Sequence, residues 1–112
     1  MEPAPILPGT LDLLILKALS LGQLHGYGIL QRIEQMAQGK LAIEQGALYP
    51  ALYRLEVKGL LDTEWGITDT NRKAKFYTLN AEGRKRLKNE TAEWNRMAET
   101  MAAALAAKVS DL

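Results

Sequence analysis

Apolar residues along this chain recur at two spacings, and the change from one to the other divides it. Leu11, Leu14, Ile15, Ala18 and Leu19 lie three or four positions apart, the repeat of one buried stripe on an α-helix. Thr10 is the expected N-cap, Asp12 a favourable first-turn acid, and the helix should end near Gly22. A second helix, from Tyr27 to about Gln38, turns Ile29, Ile33, Met36 and Ala37 inward and leaves Gln31, Arg32, Glu34, Gln35 and Gln38 largely outside, with Gly39 stopping it. Leu41-Ala42-Ile43 reads as a minor strand. A third helix begins around Gly46 to Leu48, so that Pro50 falls in its first turn, where amide hydrogens have few intrahelical partners to lose. Leu48, Ala51, Leu52 and Leu55 form its inner side, and Gly59 closes it.

The period then drops to two. Leu61, Thr63, Trp65 and Ile67 alternate with Asp62, Glu64, Gly66 and Thr68, which predicts a half-buried strand with the first set inward. Thr68-Asp69-Thr70-Asn71 supplies a turn, and Ala74 to Leu79 returns as the second arm of a hairpin. Asn80 is a good N-cap for a last helix from Ala81 to around Lys108, roughly 40 Å long at 1.5 Å per residue. Its large apolar residues, Leu87, Trp94, Met97, Met101 and Leu105, follow a near-heptad spacing that one small globule cannot cover, so they are expected to meet a second copy.

Three helices, a hairpin and a flanking helix predict a mainly α fold with a small antiparallel β-hairpin: a winged helix-turn-helix with a long C-terminal dimerisation helix. Residues 1–80 are the expected DNA-binding domain and 81–112 the dimerisation helix, together one compact unit, since 112 residues support a single core. With 47% hydrophobic and 24% charged residues the composition is that of a globular protein. The chain lacks cysteine, which excludes disulfides and thiolate chemistry. No secretory signal or membrane span is legible, and a cytoplasmic location is expected.

The net charge of +1 hides a local excess: Arg72, Lys73, Lys75, Arg84, Lys85, Arg86 and Lys88 stand against Glu82 alone between Arg72 and Lys88. On the hairpin, Asn71, Arg72, Lys73 and Lys75 could reach a minor groove or its phosphates. The outer face of the third helix carries Gly46, Pro50, Tyr53, Arg54 and Val57 flanked by Ala47, Tyr49 and Lys58, a surface poor in acid that suits the major groove. A solvated face or a protein-interaction module without DNA binding is the competing reading. Catalytic chemistry has no support, because no nucleophile, acid–base pair or metal constellation is visible. His25-Gly26-Tyr27-Gly28 lacks the third glycine of a phosphate loop, and the lone His25 suits a turn or cap better than a metal. Glu90 and Glu93 read as exposed helix charge. Trp94 either packs a core or dimer interface or stacks a flat ligand in a cleft at the dimer axis.

The segments Gly9-Thr10-Leu11-Asp12-Leu13-Leu14-Ile15-Leu16, His25-Gly26-Tyr27-Gly28-Ile29, Gly46-Ala47-Leu48-Tyr49-Pro50-Ala51-Leu52-Tyr53-Arg54-Leu55-Glu56 and Tyr77-x-Leu79-x-x-x-Gly83 together resemble the PadR family of bacterial transcriptional regulators. The resemblance runs from about Gly9 to Trp94 and implies a homodimeric winged-helix repressor of the short-tailed class; the symmetry of such a dimer makes the expected double-stranded operator palindromic, and no cofactor or metal is expected. The resemblance further implies release by a small aromatic effector near the dimer interface, with Trp94 placed like a ligand-stacking tryptophan, and a phosphate contact from Tyr27. Ala47 stands where the family often has serine or threonine, and Tyr53 where histidine or lysine is more frequent. These departures bear on which operator is read.

Overall fold

The computed structural model describes residues 4–5 and 9–112. In chain order the elements are β1 (Ala4–Pro5), α1 (Thr10–Ser20), β2 (Leu24–His25), α2 (Gly26–Met36), β3 (Leu41–Ala42), α3 (Gln45–Val57), β4 (Leu61–Ile67), β5 (Lys73–Leu79) and α4 (Ala81–Ala106), followed by a 3-10 turn at Val109–Asp111. β1 and β3 form a small parallel pair, while β2, β5 and β4 form an antiparallel sheet in that order, with Leu24 opposite Tyr77 and Leu61 opposite Leu79. This is the mainly α, winged helix-turn-helix architecture that the spacing predicts.

The core is aliphatic. Leu11, Ile15, Leu16, Ala18 and Leu19 of α1 meet Ile29, Leu30 and Ile33 of α2 and Leu48, Ala51, Leu52 and Leu55 of α3, and Leu60, Leu61, Tyr77 and Leu79 close it from the hairpin. Among the described residues no polar or charged side chain is buried, so hydrophobic burial supplies the cohesion and hydrogen bonds at element ends supply the geometry. His25 is such an end: its Nδ1 accepts from the Gly28 amide at 3.2 Å and caps α2. Gly59, at φ 76°, closes α3 by donating to Glu56 while Leu60 donates to Leu55, a left-handed cap that turns the buried Leu60 toward β4.

Among the departures from the sequence expectation, three bear on the candidate site. α1 begins at Thr10, with Gly9 rather than Thr10 in the N-cap position. α3 begins at Gln45, which makes Pro50 its sixth residue instead of a first-turn residue. The missing proline amide would have paired with the Gly46 carbonyl, and both Gly46 and Pro50 lie on the exposed side, where water can take that carbonyl. Trp65 and Ile67, expected inward with Leu61 and Thr63, are 66% and 61% exposed. The alternation fixes their face of the sheet, but only the base of the hairpin, at Leu61, Tyr77 and Leu79, joins the core.

α4 packs on α1 and β5, and its start is fixed by a tight crossing. Asn80 accepts from the Gly83 amide at 2.9 Å through Oδ1 and donates through Nδ2 to the Gly59 carbonyl at 2.9 Å and to Asp62 Oδ1 at 3.2 Å. One side chain thus ties the end of α3, the start of β4 and the cap of α4. Gly83 is buried there, and a Cβ on it would collide with the Leu60 carbonyl oxygen and Leu79 Cδ1. Beyond the half-buried Leu87 and Glu90, every residue of α4 is exposed. The Gly83→Ala substitution should therefore destabilise the fold by about 2 kcal/mol despite alanine's better helix propensity, because backbone at Leu60 cannot yield, and urea denaturation measures the shift.

Candidate nucleic-acid interface

α2, α3 and the β4–β5 hairpin border an open cleft of about 820 Å³. His25, Gly26, Tyr27, Gln31 and Tyr49 line its helical side; Trp65, Arg72, Lys73, Lys75 and Tyr77 line the hairpin side. Tyr27 and Tyr49 are each 57% exposed. Tyr49 lies close against Gly26, where an added Cβ would come within 2.5 Å of its hydroxyl, so the glycine seats the tyrosine on α2.

The hairpin tip is held tightly. Thr68 donates its amide to the Arg72 carbonyl at 2.8 Å, Asn71 donates to the Thr68 carbonyl at 2.9 Å, and the Arg72 amide donates to Thr68 Oγ1 at 3.1 Å. Asn71 adopts φ 62°, a left-handed conformation that asparagine tolerates better than most residues, and this turn presents Arg72 and Lys73 at the tip. Neither has a carboxylate partner among the described residues. Lys73 Nζ instead sits 5.4 Å from the centre of the Trp65 ring.

Two other expected contact residues are engaged within the chain. Arg54 Nη2 lies 2.9 Å from Asp12 Oδ1, tying α3 to α1. Lys75 Nζ donates to both oxygens of Glu56, at 3.1 and 3.0 Å, and lies 5.7 Å from the Tyr77 ring centre. The hydrogen bond to Glu56 raises the Lys75 pKa above its ordinary value, and burial raises that of the Tyr77 hydroxyl. Glu56 thereby locks the hairpin to α3, fixing the angle between the two candidate binding elements.

The remaining expected site residues lie outside the lining of this cleft. Tyr53, Arg54 and Lys58 occupy the exposed side of α3, where Tyr53 is 68% exposed. Ala47 is half-buried and packs against the core. Lys58 borders a separate surface hollow with Lys85 and Arg86. Trp94, Met97, Met101 and Leu105 stand exposed along α4, whereas Leu87 packs in part on its own core. Sequence spacing missed Trp65, Gln31 and Tyr77 as cleft residues. An exposed tryptophan in a strand is invisible to an alternation that reports only which face it occupies.

The profile of the transcriptional regulator PadR-like family matches residues 15–89. The chain belongs to this family. Among solved structures it is similar to a transcriptional regulator from Clostridium thermocellum, at 28% identity over 85% of this chain and 92% of that one, with a TM-score of 0.76. A PadR family transcription regulator from hypervirulent Clostridium difficile is 26% identical over 87% and 99% of the two chains, with a TM-score of 0.75. One from Eggerthella lenta is 30% identical over 89% and 85%, also with a TM-score of 0.75. Membership assigns this PadR-like chain to DNA-binding transcriptional regulation. Among its described residues no helix is long and apolar enough to cross a membrane, and no group of three or more side chains could hold a metal ion.

Replacing Glu56 with glutamine removes a carboxylate from the interface and frees the Lys75 ammonium. Nonspecific duplex affinity should rise at low salt, and the slope of log K against log salt should steepen by about one unit, as fluorescence anisotropy would show. The raised values of Lys75 and Tyr77 mean that above their ordinary ranges the folded chain holds more protons than the unfolded one. Stability should therefore be unaffected by the titration of these groups at neutral pH and fall as pH climbs from their ordinary values through the raised ones, which thermal melts across alkaline pH would follow.

Proposed function

We propose that this PadR-like protein is a ligand-responsive repressor that binds a palindromic operator as a homodimer. The observation that carries the reading is the apolar stripe of Trp94, Met97, Met101 and Leu105, which stands exposed on the part of α4 that follows Glu90. A stripe of that length on a soluble protein calls for a partner, and a second copy offers the same stripe. A two-fold pair would present two α3 helices to half-sites about 34 Å apart, which makes the operator an inverted repeat.

In this reading Tyr53 and Arg54 approach the major groove, with Ala47, Tyr49 and Lys58 at its margins. Asn71, Arg72, Lys73 and Lys75 serve the flanking backbone or minor groove, and Tyr27 a phosphate. Arg54 would reach a base or phosphate by leaving Asp12 or by using the donors that Asp12 does not occupy. Residues 1–80 act as the DNA-binding domain and 81–112 as the dimerisation segment, to which Leu87 contributes the part of its side chain left open by the core. Paired Trp94 rings at the dimer axis would stack a small aromatic effector, whose binding changes the spacing of the two α3 helices and releases DNA.

Sedimentation of wild type and Met101→Glu, run beside duplex titrations, tests the assembly. The variant should shift from dimer to monomer and lose at least about tenfold in operator affinity, since a carboxylate at that position cannot be buried without a partner. A wild-type monomer that nonetheless binds the inverted repeat at full affinity would overturn the dimer. Replacing Arg72 and Lys73 with alanine should weaken binding to all duplexes alike and lower the salt slope by about one unit per lost phosphate contact.

A further inference from the structure

Trp65 is a large aromatic residue in the middle of a strand, and it is 66% exposed. Its cross-strand neighbour Lys75 is held by Glu56, which fixes the strand pair against α3 at that level. On the opposite face Gly66 packs so closely on Phe76 that an added Cβ would lie 3.0 Å from the ring. The hairpin is therefore rigid where it displays the indole. Burial of apolar surface does not account for an indole there: Trp65 is not part of the core cluster, which takes from this strand only Leu61. What it does have is a charged companion, Lys73, whose Nζ lies 5.4 Å from the ring centre, and a place on the wall of the cleft opposite Tyr27 and Tyr49.

We infer that Trp65 is a DNA-contacting residue whose indole packs against the deoxyribose of one strand while Lys73 beside it meets the adjoining phosphate. This rests on the DNA-binding reading above and names a contact within it. The pairing matches the chemistry of a nucleotide backbone, in which an apolar sugar edge alternates with an anionic phosphate. Ammonium and indole side by side reproduce that alternation, and the cation–π contact keeps Lys73 from collapsing onto an acid. Because sugar packing neutralises no phosphate, its contribution is independent of salt, unlike that of Arg72 or Lys73.

The test is a titration of wild type, Trp65→Ala and Trp65→Phe with a duplex of about 20 base pairs at several salt concentrations. Trp65→Ala should lose about tenfold in affinity at every salt concentration with an unchanged slope, and Trp65→Phe should retain most of it. In parallel, protein labelled with 5-fluorotryptophan gives a fluorine resonance for Trp65, assigned by its absence from the phenylalanine variant, and that line should move on saturation with duplex. Wild-type affinity in Trp65→Ala, or a stationary fluorine line on a saturated wild-type complex, overturns the contact while leaving DNA binding intact. A slope lower by about one unit in Trp65→Ala would assign the loss to a displaced Lys73 and overturn the sugar contact. Failure of the wild type to bind any duplex at low salt would instead sink the parent reading.

Discussion

Everything that α3 shows to solvent depends on how its inner side is gripped. Leu48, Ala51, Leu52 and Leu55 are nearly inaccessible and are held among the stripes of α1 and α2 and the base of the hairpin. A 13-residue helix has too few internal hydrogen bonds to be stable in water alone, and this one gives up another at Pro50. Tertiary burial therefore keeps it helical, and the same burial fixes its rotation. With the leucines inward, Tyr49, Tyr53, Arg54, Val57 and Lys58 have no other place to go than out.

The hairpin is tied to that helix by a different kind of force. Leu61, Tyr77 and Leu79 anchor its base in the core, and farther out the Glu56–Lys75 pair ties it to α3. Both members are about one-third exposed, so the pair adds little to global stability and mainly selects an orientation. The Asp12–Arg54 pair does the same between α1 and α3. Arg54 and Lys75 are thus held in defined positions, with their charge partly offset by the acids that hold them, whereas Arg72 and Lys73 at the hairpin tip have no such acid among the described residues. Pre-ordering of this kind favours discrimination over raw attraction, because side chains already fixed lose less freedom on binding and a polyanion gains less from charges that are already paired.

The helices, the hairpin and their order were legible because each follows from spacing within a few residues of itself. The stripes of α1 and α3, the cap at Asn80 and the stop at Gly59 are local signals, and His25 as a cap follows from its place just before a helical run. Less legible was whatever depends on residues distant in sequence. Asp12 and Arg54 are 42 positions apart and Glu56 and Lys75 are 19 apart, so no pattern in the chain marks Arg54 and Lys75 as engaged. Trp65 and Ile67 show the same limit from another side: period two reports which face a residue occupies, and only the tertiary packing decides how far along the strand that face is covered. Tyr27, Tyr49, Arg72, Lys73 and Lys75 converge on one cleft, while Ala47 turns partly into the core.

The interior, built from aliphatic side chains and a single tyrosine, makes no directional demands. Leucine, isoleucine and methionine can trade places there at modest cost so long as volume is kept. Asn80 and His25 must each supply an acceptor to a particular amide, and Gly83 leaves no room for a Cβ. Over long divergence the middle of this molecule is free to drift, and the memory of its shape is kept at the joints.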